Sequence, residues 1–320
     1  MTVPDLCCVG NNLTTVTQFF LLGFPGSHVA RIFLFCLFLV VYCGTIFGNL
    51  LIIVLVSTSR SLHTPMYFFI SQLSVNDILL ATYISPNMLH ILLDNGGTIT
   101  FAACIAQFYF FSTAEAFECF LLAVMSYDRY VAICNPLHYN SIMTSGRCTE
   151  LSTVCWLVSF SIIFTDIITI SKLSFCGTNV IDHFFCDLLP LQEMTCSDIF
   201  ILRLEIFFLS IISVIIPTII IILSYTYIIV TILRISSSTG RQKTFSTCSS
   251  HLIVVSIFYW TMFSVYVFPT KVNRLNISKI LSLLYTVFTP LINPIIYSLR
   301  NTNIRKAVKN IIKNCKGKFV

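Results

Sequence analysis

The chain has 320 residues, of which 56% are hydrophobic, 14% aromatic and only 10% charged. Soluble domains carry about 25% charged residues, so this composition, with a mean hydropathy of +0.89, excludes a water-soluble globular protein and points to repeated membrane crossing. The formal net charge of +6 reflects how basic residues are shared between the two sides of a membrane and is not a nucleic-acid-binding signal.

Residues 1–30 lack the basic start, short apolar run and small-residue cleavage site of a signal peptide. They are expected to form a short outer tail, with the first membrane helix as its own targeting signal. Within that tail Asn12-Leu13-Thr14 fits the glycosylation triplet. Apolar runs follow at 32–56, 66–89, 104–134, 151–170, 206–233, 252–268 and 280–299. Runs of roughly 20 apolar residues cross a hydrocarbon core about 30 Å thick, so residues 31–300 are expected to form one seven-helix domain. The third run is longer than a bilayer requires, which predicts a tilted helix through the middle of the bundle. Pro86, Pro217, Pro290 and Pro294 fall inside runs, where packed neighbours can satisfy the carbonyls that proline frees. Residues 301–320 form the last segment, in which Ile304, Val308, Ile311 and Ile312 alternate with lysines and an arginine; this pattern predicts an amphipathic helix on an anionic membrane surface. The fold class is therefore an all-α membrane protein, a seven-transmembrane helix bundle with a short amphipathic C-terminal helix.

Thirteen of the 19 Lys and Arg residues, among them Arg129, Arg147, Arg241 and the basic residues after Leu299, fall on one side of the seven runs. The positive-inside rule makes that side cytoplasmic, with the N-terminus outside and the C-terminus inside. The same topology sorts the cysteines: Cys104, Cys176, Cys186 and Cys196 lie on the outer, oxidising side, where four cysteines allow three pairings. The chain shows no internal repeat of the kind many transporters carry. Its histidines, including His63, His138, His183 and His251, are scattered over both sides, so no metal or nucleophile constellation converges, no enzyme is expected, and no cofactor is implied.

At the end of the third run stands Met125-Ser126-Tyr127-Asp128-Arg129-Tyr130-Val131-Ala132-Ile133-Cys134, followed by Asn135-Pro136-Leu137-His138-Tyr139. Three further stretches, from Leu62 to Phe69, from Lys243 to Leu252 and from Pro290 to Asn301, complete a pattern that closely resembles olfactory receptors, a branch of the rhodopsin-like G-protein-coupled receptors. Gly48-Asn49 and Ser224-Tyr225 agree as well. The chain departs from the usual family pattern at Ser126, Trp260 and Ile292.

The resemblance implies disulfides Cys104–Cys186 and Cys176–Cys196. It implies a small volatile ligand inside the bundle, a heterotrimeric stimulatory G protein as partner, cAMP as output, and a place in the plasma membrane of olfactory cilia. Asp128 and Arg129, beside Tyr130, would be a latch that activation opens; Tyr225 and Tyr297 would steady the open form, and Asn293-Pro294 would belong to the same machinery. Asn49, Asp77, Glu118 and Asn293 would form a polar cluster able to hold Na⁺ or protons, although a plain hydrogen-bond network fits as well. A rhodopsin-like receptor for a metabolite outside olfaction would use the same transduction machinery.

Glu115 is not part of the family signature and is read from helix period alone. Stepping back from Arg129 by fours and threes gives Met125, Leu122, Glu118, Glu115 and Phe111 on one helix face. At about 1.5 Å per residue Glu115 lies roughly 21 Å outward of Arg129, in the half where a small ligand would sit; it would either contact that ligand, share a proton with Glu118 one turn below, or hydrogen-bond to a neighbouring helix. The expected walls are Phe111, Ser112 and Cys119 on the third span, Phe207, Phe208 and Ser210 on the fifth, and Tyr259, Met262, Phe263 and Tyr266 on the sixth.

Overall fold

The computed structural model describes residues 17–175, 179–267, 274–301 and 303–309, and of residues 243–247, 264–267, 274–278, 299 and 300 the backbone alone. Seven long helices carry the chain: α1 His28–Thr58, α2 Pro65–Asp94, α3 Phe101–Cys134, α4 Ser145–Ile170, α5 Phe200–Arg234, α6 Ser238–Val267 and α7 over 274–300. Six of them are long and apolar enough to cross a membrane, while α6 carries a shorter apolar stretch, Cys248–Phe263.

Each helix overshoots its apolar run because hydropathy marks the hydrocarbon layer, whereas the hydrogen-bonded backbone continues into water. The largest difference is α6, which begins at Ser238 and not at the apolar boundary near 252; the intervening Ser, Thr, Gln and Lys residues are helical without being apolar. The new ends are capped locally. Ser27, Thr100 and Thr144 each accept a hydrogen bond from a backbone N–H of the first turn, at 3.2–3.3 Å. Pro65 opens α2, where a missing N–H costs nothing, and Asn95 ends it in the left-handed conformation.

The inner prolines have a specific consequence. A five-residue π turn at Ile211–Ile215 stands just before Pro217, and another at Leu284–Phe288 stands just before Pro290. Proline removes one N–H and its ring collides with the carbonyl four residues back; widening the preceding turn relieves both problems while keeping the helix continuous.

Packing between helices rests on close approaches. A Cβ on Gly48 would lie 3.2 Å from the Pro294 ring, so the glycine lets α1 sit against α7. Phe117 of α3 stacks on Trp156 of α4 with ring centroids 3.9 Å apart. Trp260, the bulkiest departure from the family pattern, is 68% exposed and points away from the bundle interior.

At the N-terminal face three short strands, β1 Gln18–Leu21, β2 Gly97–Thr100 and β3 Val180–Ile181, form a sheet of order β2-β1-β3. β1 pairs antiparallel with β2 and parallel with β3. The segment expected as a tail is thus partly folded, since it holds β1 and the start of α1. At the opposite, C-terminal face, Asn301 Oδ1 accepts from the N–H groups of Asn303 and Ile304, starting a helix over 303–309. That helix buries Ile304 and Ala307, half-buries Val308 and exposes Arg305, Lys306 and Lys309; Ile311 and Ile312, the other apolar positions of the expected amphipathic helix, lie outside the described residues.

Candidate functional site

Helix α3 carries functional groups at both ends and in the middle. At the C-terminal face Arg129 donates through Nε to Asp128 Oδ2 at 3.0 Å and pairs with it again through Nη2. Asp128 is fully buried, and its other oxygen accepts from the Tyr139 hydroxyl at 2.8 Å. Tyr139 stands on a short helix, Tyr139–Ile142, between α3 and α4. The carboxylate therefore has two donors, one from its neighbour in sequence and one from a loop. Nearby, the Tyr225 hydroxyl and His251 Nδ1 share a hydrogen bond of 2.6 Å that ties α5 to α6, and the Tyr130 ring lies 5.9 Å from Tyr227 of α5.

In the middle of the bundle Asn293 donates to both oxygens of Asp77, at 3.1 and 3.2 Å. Asn49 donates to the Pro290 carbonyl at 3.0 Å, and Asn76 makes a long contact of 3.5 Å to Glu118. Pro294 and Tyr297 are buried on the same helix as Asn293. All of the polar cluster residues named from the sequence are buried here, and Asn49 Oδ1 and Glu118 Oε1 have no hydrogen-bond partner.

Toward the N-terminal face Gln107, Phe111 and Glu115 follow at steps of four along one face of α3. Gln107 donates to the Tyr83 carbonyl at 2.9 Å and accepts from the Cys186 N–H at 3.0 Å, tying α2 to the loop between α4 and α5. Phe111 packs against Phe185 and Tyr285 with centroids 5.0 and 6.0 Å apart. Glu115 is 8% exposed. Its Oε1 has no hydrogen-bond partner, and no Lys, Arg or His among the described residues pairs with it.

The loop forms a roof. Cys104 at the start of α3 is disulfide-bonded to Cys186, with Cα atoms 5.4 Å apart. Cys196 is also disulfide-bonded; Cys176, its expected partner, lies outside the described residues, as does Asn12. Lys279 of α7 is buried, pairs with Asp182 and donates to the Gly23 carbonyl at 3.0 Å, locking β1's exit and the roof onto α7. His183, next to Asp182, is buried between Phe184 and Phe185. Burial, reinforced by the Lys279 ammonium, holds its pKa down to about 3. An unfolded histidine near 6.5 takes up a proton that the folded roof refuses, so stability is complete above about pH 6.5 and falls by about 1.4 kcal/mol per pH unit below it. Amide exchange of β1 and β3, corrected for its intrinsic pH dependence, is expected to be faster at pH 5.5 than at pH 7.5. Equal protection at both values would contradict this, and the difference should vanish in His183→Phe.

The structure does not bring all of the expected wall residues together. Phe111, Cys119 and Met262 are buried, Ser112, Ser210 and Tyr259 are half-buried, and Phe207, Phe208 and Phe263 are 59%, 56% and 52% exposed. On α5 the buried Leu202 is followed by the half-buried Ile206, Leu209 and Ser210, so the inward row bypasses both phenylalanines. The π turn at Ile211–Ile215 inserts an extra residue and rotates everything before it by about 100° relative to an unbroken helix. The Tyr266 side chain lies outside the described residues.

Gln107, Tyr139, Asp187, His251 and Lys279 were not identified as site residues from the sequence. All but Asp187, which accepts from the adjacent Leu188 N–H, act through a partner on another element, which helix period cannot reveal. Among the described residues no group of three His, Cys, Asp or Glu side chains forms a metal site.

Seven helices with this arrangement define a rhodopsin-like bundle: the fold matches the crystal structure of squid rhodopsin with a TM-score of 0.73, covering 91% of this chain and 87% of that one at 17% identity. The family model for olfactory receptors matches residues 35–315. Similar proteins include olfactory receptor 11L1 of Homo sapiens, 47% identical over 94% of both chains. Olfactory receptor 1496 of Rattus norvegicus is 44% identical over 96% of this chain and 99% of its own. The chain belongs to the olfactory receptor family of G-protein-coupled receptors. It is accordingly a multi-pass membrane receptor and not an enzyme, and its family implies a small-molecule ligand, a G-protein partner and the plasma membrane.

Proposed function

We propose that this receptor binds a small, volatile odorant beneath the roof, between α3, α5 and α6, and activates a stimulatory G protein that raises cAMP. The observation that carries the reading is the division of labour along α3: a buried Asp128–Arg129 pair held by Tyr139 at one end, and an unpaired, buried Glu115 at the other. In this reading the N-terminal face is extracellular, with residues 1–30 outside and Asn12 glycosylated, residues 31–300 spanning the membrane, and 301–320 cytoplasmic. The cell surface concerned is that of the olfactory cilium.

Phe111, Ser112, Glu115, Cys119, Tyr259 and Met262 would line the ligand, with Ser210 and Tyr266 beside them. Phe207, Phe208 and Phe263, each more than half exposed, would reach it only by their edges. Ligand contact on α6 would be coupled through that helix to the Tyr225–His251 tie. When α6 moves outward, Arg129 leaves Asp128 and faces the G protein, while Tyr225 and Tyr297 steady the open form. The cluster of Asn49, Asp77, Glu118 and Asn293 has two carboxylates and the partnerless Asn49 Oδ1, a donor set that suits Na⁺ or a shared proton and would bias the resting state.

The test is expression of the tagged receptor in cells with an olfactory-type G protein, screened against a broad odorant panel with a cAMP reporter. At least one odorant should raise cAMP in receptor-bearing cells only. A receptor present at the surface that responds to no odorant by cAMP, while activating a different G protein, would refute the coupling.

A further inference from the structure

At the C-terminal face, between the end of α1, the start of α2 and the start of α4, lies a cavity of about 400 Å³. Small-molecule sites occupy roughly 300–1,000 Å³, and this one shares no residue with the odorant site beneath the roof. Its floor is apolar and covered, made by the buried Leu62, Met143 and Cys148. Val56, Pro65 and Phe68 are half-buried walls, and His63, Thr64, Ser145 and Thr149 form an exposed, polar mouth. A wholly polar ligand would leave that floor unused, and a wholly apolar one would cover the hydroxyls and the imidazole of the mouth without replacing their hydration. The shape therefore suits an amphiphile.

The charge of its polar end follows from the mouth. None of the described residues lining the cavity is acidic. Thr64 is the N-cap of α2 and Ser145 the first residue of α4, so two long helices turn their positive ends toward one opening. Thr64 makes no side-chain cap bond and Pro65 brings no N–H, which leaves the first-turn N–H groups of Met66 and Tyr67 without an intrahelical acceptor. Arg60 stands exposed in the short turn Arg60–Leu62 that leads into the floor. Arg147 pairs with Glu150 at 2.9 Å, whereas Arg60 has no acidic partner among the described residues. An anion at helix N-termini beside an arginine, joined to an aliphatic chain on an apolar floor, is the chemistry of an anionic phospholipid. A sterol's single hydroxyl would leave the positive charge unanswered.

We infer that this cavity binds an anionic phospholipid, its phosphate at the mouth beside Thr64, Ser145 and Arg60 and an acyl chain over Leu62 and Met143. Assigning the lipid to the cytoplasmic leaflet, where anionic lipids collect, rests on the reading that the C-terminal face is cytoplasmic; the binding itself does not. The Met143 N–H donates to the Tyr139 carbonyl at 2.8 Å, and Tyr139 holds Asp128. An occupied cavity would thus steady the segment that keeps the Asp128–Arg129 latch closed.

Native mass spectrometry of the purified full-length receptor in detergent micelles, which have no sides, tests the site. Dioleoyl phosphatidylserine and dioleoyl phosphatidylcholine are offered in equal amounts, since they share their chains and differ in net charge. The serine lipid should be retained in preference. Arg60→Gln should weaken its binding by about fivefold, the contribution of one basic residue near anionic headgroups. Thr64→Asp places a favoured N-cap residue on α2 and sets a carboxylate against the phosphate, so the helix is kept while binding of the serine lipid falls by about tenfold or more. If Thr64→Asp does not fold, Arg60→Gln, at an exposed position, carries the comparison. Equal retention of the two lipids overturns the site. So does an unchanged preference in the variants, which would move it to the basic helix over 303–309. Competition by glycerophosphoserine as strong as that of the whole lipid would mean a site for free phosphate, and retention of cholesterol in place of the serine lipid would mean a neutral occupant; either result overturns the phospholipid. If epitope tagging places the C-terminus outside the cell, the site stands and the leaflet assignment falls.

Discussion

Arg129→Ala is expected to reach the cell surface at normal levels and to lose ligand-driven cAMP production altogether. The side chain is largely covered and engaged with Asp128, so its removal leaves a buried carboxylate that still accepts from Tyr139 and remains partly satisfied. Folding should therefore survive while the group that must face the G protein is gone. Tyr139→Phe makes the opposite perturbation: Asp128 loses its second donor while Arg129 stays, and ligand-independent cAMP should rise severalfold. Measuring both variants at matched surface levels separates loss of the coupling group from loss of the latch. A full response in Arg129→Ala would refute its role, and unchanged basal activity in Tyr139→Phe would show that Tyr139 does not hold the resting form.

Cys104→Ser and Cys186→Ser are each expected to abolish surface delivery. Losing a disulfide typically costs about 2–5 kcal/mol in small secreted domains, and here the bond is the covalent anchor of the roof on α3. Without it the Gln107–Cys186 hydrogen bond, the Phe111–Phe185 contact and the short sheet must hold the loop by themselves. The double variant should be no worse than either single one, because both remove the same bond. Normal surface staining of either single variant would show that the roof holds without it.

The seven spans were legible because a lipid interior punishes every unpaired backbone group, so long apolar runs have one structural solution. Helix ends were less legible: α6 begins at Ser238 among polar residues that hydropathy ignores. Glu115 could be placed on the inner face of α3 because α3 has no π turn above Arg129 to spoil the count. Phe207 and Phe208, expected as walls on the fifth span without any such count, are more than half exposed, and the turn at Ile211–Ile215 shifts the inward row on α5. Asp128 and Arg129 were readable as neighbours, but Tyr139 became their partner only through the path of a loop. Asp187 was invisible for the same reason, since its place depends on a disulfide linking distant segments. The sheet was also hidden: strands of two to four residues contribute too little pattern to be read singly.

The central position of β1 in that sheet constrains how the molecule is built. Its register partners for Phe20 are Thr98 on one side and Val180 on the other, and Val180 is made only after α1, α2, α3 and α4 have been synthesised. The earliest strand must wait, unpaired at one edge, until four spans have been inserted. Closing such distant ends is slow, and during that interval the exposed edge is a template for the wrong chain. Maturation in the endoplasmic reticulum is thus tied to synthesis of the loop after α4, and substitutions in 18–21 should increase retention there even though they touch neither ligand nor G protein.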